Sequence, residues 1–257
     1  IAGFATLTFG LMMWFFSGQK EQNTVLIALC LGAVLWVIAA LFYSRINEYK
    51  GATQGGKNGF LNALSKLKLL YQDKQFAHFV ITRAFLLCSA LSAPFYIILA
   101  SSQQFEFSLL AVFLAVSGLA SLISGPIWGR LSDFSSQKVL VLSALLVTIN
   151  GVSVFVIATW YSQLFEYAWV IPGFYFLLCI AHQGVRLGRK TYLVDMAQGN
   201  KRTDYVSVSN TVIGILLLML GSIGLLEAFL STAQLILLYS LLGLLGAISA
   251  IFLPQAE

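Results

Sequence analysis

Long uninterrupted apolar runs, divided by short polar stretches, set the pattern of this chain. Eight of them approach or reach the roughly 20 residues needed to cross bilayer hydrocarbon. They cover residues 1–16, 24–43, 76–100, 108–128, 139–160, 168–185, 206–226 and 233–253, the first being short. None alternates apolar and polar with period two. In hydrocarbon every backbone N–H and C=O needs an internal partner, and a continuous run supplies it as a helix. The pattern predicts an all-α membrane protein with eight transmembrane helices. Residues 44–75 interrupt it. Within them, 51–59 is rich in glycine and polar residues and reads as flexible. Over 60–71, Leu61, Leu64, Leu67 and Leu70 recur at three-residue steps with Lys66 and Lys68 on other faces. That spacing predicts an amphipathic helix at the membrane surface. The chain so divides into 1–44, a pair of spans; 45–75, a linker; and 76–257, a six-helix bundle.

Composition strengthens this reading. Of 257 residues, 59% are hydrophobic and only 10% charged, whereas a soluble domain carries about 25% charge. Much of the surface therefore faces lipid. The net charge of +5 does not point to nucleic acid, because the bases sit between apolar runs. Arg45, Lys50, Lys57, Lys66, Lys68 and Lys74 follow the second run, Arg130 and Lys138 the fourth, and Arg186, Arg189, Lys190, Lys201 and Arg202 the sixth. The alternate loops hold only Lys20, together with Glu21, Glu106, Glu166 and Glu227. Basic residues mark the cytoplasmic side, so the 44–75, Arg130 and Arg186 segments are expected in the cytoplasm and the protein in the cell (inner) membrane. Cys30, Cys88 and Cys179 lie inside apolar runs without metal-ligand spacing and read as small apolar residues. The chain starts at Ile1, already apolar, without a signal-peptide pattern, and reads as a piece of a longer protein.

A few polar and helix-breaking residues interrupt the spans. Arg83 lies about seven residues inside the third. A charge in hydrocarbon is costly and marks a pathway or gate, for example one that binds an anionic group; the alternative is a side chain that snorkels to the surface or forms a structural pair. Pro94, with Ser92 and Tyr96, falls mid-span, where proline kinks a helix and breaks often mark a moving gate or binding site. Pro172 and Gly173 raise the same question. Asn150, and Asn210 near the start of the seventh span, either line a cavity or bond to a neighbouring helix. No Asp or Glu stands near the middle of any span, so a proton-coupling carboxylate is not evident, and His78 and His182 lie towards the cytoplasmic ends. There is no phosphate-binding loop for ATP, no metal cluster and no nucleophile with a base at triad-like spacing.

The most informative segment reads Gly125-Pro-Ile-Trp-Gly-Arg-Leu-Ser-Asp133, with Lys138 five residues on. Gly125 and Gly129 share a helix face and would admit a second helix closely. Asp133 is placed to accept from a helix N-terminus or to pair with Arg130 or another base. The segment resembles the cytoplasmic signature of the major facilitator superfamily, matching at Gly129, Leu131, Ser132, Asp133 and Lys138, with Ser136 and Gln137 departing from it. The resemblance implies two six-helix halves, of which this chain would supply helices five to twelve. It also implies a loop that holds the halves together on the cytoplasmic side and releases them as the transporter changes face. Gly184-x-x-x-Gly188-Arg189 echoes Gly125-x-x-x-Gly129-Arg130. Residues 182–204 are thus either a second latch, with Arg186 or Arg189 paired to Asp195 or Asp133, or an ordinary basic loop.

The expected function is that of a secondary active transporter moving a small solute, with or without a coupling proton or ion, and using no cofactor. The rivals are a lipid-handling membrane enzyme and a transporter-like solute sensor.

Overall fold

The computed structural model describes residues 2–15, 21–46, 66–101, 108–197, 201–220 and 226–255. Among them every regular element is helical. In chain order these are α1 (Ala2–Phe15), α2 (Glu21–Tyr43), α3 (Leu69–Gln72), α4 (Lys74–Phe85), α5 (Cys88–Leu91), α6 (Ala93–Ser101), α7 (Ser108–Phe134), α8 (Ser136–Trp160), α9 (Val170–Met196), α10 (Lys201–Leu220) and α11 (Thr232–Ile251), with a 3-10 turn at Ser162–Glu166. Five stretches are long and apolar enough to span a membrane: Lys74–Ser101, which joins α4 to α6, and those of α7, α8, α9 and α11. The protein is accordingly an integral membrane protein. In α1 and α2 the described apolar stretches, Gly3–Phe15 and Gly32–Tyr43, are shorter.

Five of the eight expected spans are found among the described residues, α10 not being one of them, and these five differ from the apolar runs at their ends. Helices α7 and α9 have 27 residues each, about 40 Å at 1.5 Å per residue, against a hydrocarbon slab of about 30 Å. Both continue past the apolar run through charged residues, of which the arginines and lysine are good helix formers. Arg130 and Asp133 therefore stand on the last turns of α7, and Arg186, Arg189 and Asp195 on α9. The loop expected over 182–204 is helix as far as Met196. Only Ser135 separates α7 from α8; it is extended and its hydroxyl accepts from the Lys138 amide at 3.3 Å, capping α8. The first half of the expected 60–71 amphipathic helix, and the segment 51–59 expected to be flexible, lie outside the described residues; within the second half α3 is a single turn.

Two buried clusters hold the bundle. Near the Ser135 end, Phe76, Phe79, Leu140, Tyr192, Tyr205 and Ala247 pack together, with Phe76 stacked on Tyr205 at 4.3 Å and Phe79 on Tyr192 at 5.2 Å. Towards the other end, Tyr96, Phe113, Val147, Leu178, Ile236 and Tyr239 form the second. Each aromatic residue removes a large apolar area from lipid or water, and the stacked pairs add about 0.5–1.5 kcal/mol beyond that burial. Helix α1 packs along α7, where Gly10 backs onto Ala115 and Gly118 onto Leu7 so closely that a Cβ would overlap backbone. Small residues at such a contact let helices approach where lipid offers no hydrophobic drive. The described side chains of α2, among them Trp36 and Phe42, are largely exposed.

Candidate functional site

The boundary between the two clusters falls near the middle of the spanning helices, and polar side chains gather there. The third span breaks at this level. Helix α4 ends at Phe85, α5 is one turn, and α6 restarts at Ala93. At the break the Leu86 oxygen accepts from the Ser89 amide at 3.4 Å and from the Ser89 hydroxyl at 3.0 Å. Ser89 Oγ also lies 3.0 Å from His182 Nδ1, in a hydrogen bond whose donor depends on the ring tautomer. One residue along α9, Gln183 Nε2 donates to Ser121 Oγ on α7 at 2.9 Å.

These groups border a cavity of about 290 Å³, lined by Thr6 of α1, Ser89, Ala90 and Ala93 of the broken span, Ser117 and Ser121 of α7, and Tyr175, Leu178, Cys179, His182 and Gln183 of α9. A second cavity of about 180 Å³ shares Ser121 and Gln183 with it and adds Ser124, Gly125, Trp128, Arg186, Leu187 and Lys190. The two form one polar tract along α9, from Tyr175 towards Arg186. Its wall is fixed by Trp128, whose indole Nε1 donates to the Ile180 carbonyl at 2.8 Å and whose ring lies over Gly184.

The basic residues that line the smaller cavity are Arg186 and Lys190. Arg83, in the last turn of α4, donates from Nη1 to Ser209 Oγ at 2.6 Å and from Nη2 to Asn210 Oδ1 at 2.8 Å. Its Nε is buried without a partner. Arg83 and Arg189 lie within electrostatic reach of each other, and the fields of Arg186 and Arg189 reach His182. Among the described residues the one ion pair is Lys66–Asp204, at 2.6 Å, so no carboxylate neutralises these arginines.

The structure thus sorts the expected residues. Arg83 and Asn210 are brought together. Asn150 and Tyr96 are too, with Nδ2 donating to the phenol oxygen at 2.9 Å; they sit in the interior, and Tyr96 touches the Tyr175 ring that faces the cavity, centroids 6.4 Å apart. Asn150 is therefore an interhelical bond behind the wall. Pro94 is exposed, beside cavity-lining Ala93. The close approach expected at Gly125 and Gly129 does not occur: a Cβ at either would meet nothing within 4 Å, whereas the echoing Gly184 and Gly188 receive Trp128 and Leu140. Helix α7 turns its glycine face outward and α9 turns its own inward.

The latch pairs are likewise not formed. Arg130, Asp133 and Lys138 are exposed, and Asp195 accepts from Ser136 Oγ at 3.0 Å. The same end is held by neutral contacts. Ser132 donates to Thr191 Oγ1 at 3.1 Å. Gln137 Nε2 lies 2.7–3.1 Å from the carbonyls of Ala250, Ile251 and Leu253, meeting the unpaired end of α11. Gln137, which departs from the signature, thus has a structural role of its own. Ser89, Ser121, Trp128 and Tyr175 went unremarked as site residues; the one signal was Trp128, an indole in an apolar run whose N–H needs an acceptor. No protein-family profile, curated protein or solved structure matches this chain.

Proposed function

We propose that the protein is a secondary active transporter of the major facilitator type, moving a small solute by alternating access. Its α1 and α2 would close one six-helix half, and the helices from α4 to α11 would form the other. The observation that carries the reading is the polar cavity halfway along the spanning helices, walled by α1 on one side and by the broken span, α7 and α9 on the others. Polar groups at that depth are costly, and they mark substrate pathways. A broken helix beside the cavity supports the same reading, because discontinuous helices form transporter sites at the midplane. The Gly129–Asp133 signature at the helix ends adds to it, with Arg130, Asp133, Arg186 and Arg189 free of ion pairs among the described residues and so available to a gate.

Counterflow in proteoliposomes tests this. The liposomes are loaded in turn with unlabelled sugars, amino acids and organic acids, and uptake of the labelled counterpart is followed. Wild type should exchange one class, and Asp133→Asn should lose most of that exchange while inserting normally. Normal exchange by Asp133→Asn removes the gate assignment. Solute binding without any exchange replaces transport by sensing.

A further inference from the structure

An arginine in a membrane protein normally finds a carboxylate, a phosphate or water, because an uncompensated charge away from water is expensive. Among the described residues three arginines have no carboxylate partner. Arg83 is oriented by two neutral acceptors and keeps a buried, unbonded Nε. Arg189 is half-buried, and Arg186, which is exposed, lines the smaller cavity. Positions 182, 186 and 189 follow helical spacing, which puts His182, Arg186 and Arg189 on one stripe of α9. The described carboxylates are engaged or distant. Asp73 takes the Tyr205 hydroxyl, Asp195 that of Ser136, and Asp204 the Lys66 amine. Glu166 and Glu227 lie beyond the far ends of the spans. Asp133 is exposed at the end of α7.

We infer that Arg186 and Arg189, backed by Arg83, bind the oxyanion, carboxylate or phosphate, of a small organic solute that reaches from the 290 Å³ cavity beside Tyr175 and His182 into the smaller cavity that Arg186 lines. As a statement about the transported substrate this rests on the transporter reading; as a statement about binding it does not. The planar guanidinium fork matches the two oxygens of a carboxylate or phosphate. Binding supplies the missing counter-charge to a cluster whose members otherwise repel one another. The cavity is at the small end for organic ligands, and its mixed lining of serines, Gln183, alanines and Tyr175 suits a compact acid with a partly apolar body.

The test is ligand-induced thermal stabilisation of the purified full chain in phosphatidylcholine nanodiscs. The probes are succinate, benzoate and inorganic phosphate, set against succinamide and benzamide as neutral counterparts. At least one organic anion should raise the melting temperature while its amide does not. Arg189→Gln and Arg186→Gln should each weaken that anion at least tenfold, and Arg45→Gln, which removes an exposed charge elsewhere, should leave it unchanged. The unliganded Arg189→Gln protein should melt at or above wild type, since it has lost a charge without a counter-ion; this separates lost binding from lost folding. The inference is overturned if amides stabilise as well as acids, if no anion stabilises, or if the arginine variants bind normally. It is also overturned if phosphatidylglycerol nanodiscs alone raise the melting temperature, which would make the oxyanion a lipid headgroup. Counterflow of the same anion separates the two readings. Specific binding without exchange keeps the anion site and removes transport, whereas exchange of a neutral solute insensitive to Arg189→Gln keeps transport and removes the anion site.

Discussion

Tyr96 and Asn150 offer a sharp energetic test, because both are almost wholly enclosed, at 1% and 3% exposure. The Asn150 amide donates to Tyr96, and its Oδ1 has no partner. Tyr96→Phe removes one oxygen and strands the amide nitrogen as well. Hydrogen bonds between membrane helices average about 0.6 kcal/mol and reach about 1.7, while a buried polar group left unmet costs about 1–3 kcal/mol. Tyr96→Phe should therefore cost about 1–2 kcal/mol. Asn150→Leu keeps the branching and size of the side chain. It strands the phenol but deletes the unpaired Oδ1, so the two effects offset. The double variant leaves no polar atom at the contact and should be more stable than Tyr96→Phe alone. The single effects should then overestimate the double by about 1 kcal/mol or more, against the roughly 0.3–0.5 kcal/mol scatter of independent sites. Equilibrium unfolding in mixed micelles, with rising dodecyl sulfate fraction, measures all four proteins. Additive effects, or a Tyr96→Phe variant as stable as wild type, would refute the reasoning.

The two glycine pairs and one capping carboxylate give further tests. A Cβ at Gly184 would stand 2.6 Å from Trp128 Cε2 and 2.8 Å from Ser143 Cβ, so Gly184→Ala should cost about 1–3 kcal/mol through overpacking and shift tryptophan emission. Gly125→Ala, facing open space, should stay within about 0.5 kcal/mol; equal effects would contradict the assigned faces. Asp73 caps α4 just outside the spans. Burial raises its pKa, but the Tyr205 hydroxyl, the amides of Phe76 and Gln75 and the charge of Lys201 outweigh burial and lower it. A carboxyl with a depressed folded-state pKa contributes stability that is complete above its unfolded value and is lost as pH falls through the folded one. Thermal melts should therefore show an acid limb below about pH 4 that Asp73→Asn and Tyr205→Phe both flatten; an unaltered limb in both would remove Asp73 as its source.

Helix positions were legible because hydrocarbon demands unbroken apolar length. Their ends were not, since Arg186, Arg189 and Asp195 end an apolar run without ending a helix. The role of Asn150 stayed open in sequence because its partner, Tyr96, is 54 residues away. For Arg83, pairing with Asn210 had to wait for a contact 127 residues distant. The two Gly-x-x-x-Gly-Arg segments read alike, and only packing tells them apart: spacing fixes that two glycines share a face, while the neighbours decide whether that face is covered. Gln137 looked like a weakened signature because sequence shows a lost charge and not the helix end it meets.

The single residue between α7 and α8 bears on biogenesis. With Ser135 alone outside the helices, the chain has one residue in which to turn between the spans, and that residue's hydroxyl caps α8. Such a pair is expected to enter the bilayer as one helical hairpin, the later span helping to commit the earlier. Lengthening that turn with an inserted tag or a run of glycines would let each span partition alone. Synthesis would then yield molecules in which α7 has crossed and α8 has not, an error of assembly that no measurement on the finished bundle would detect.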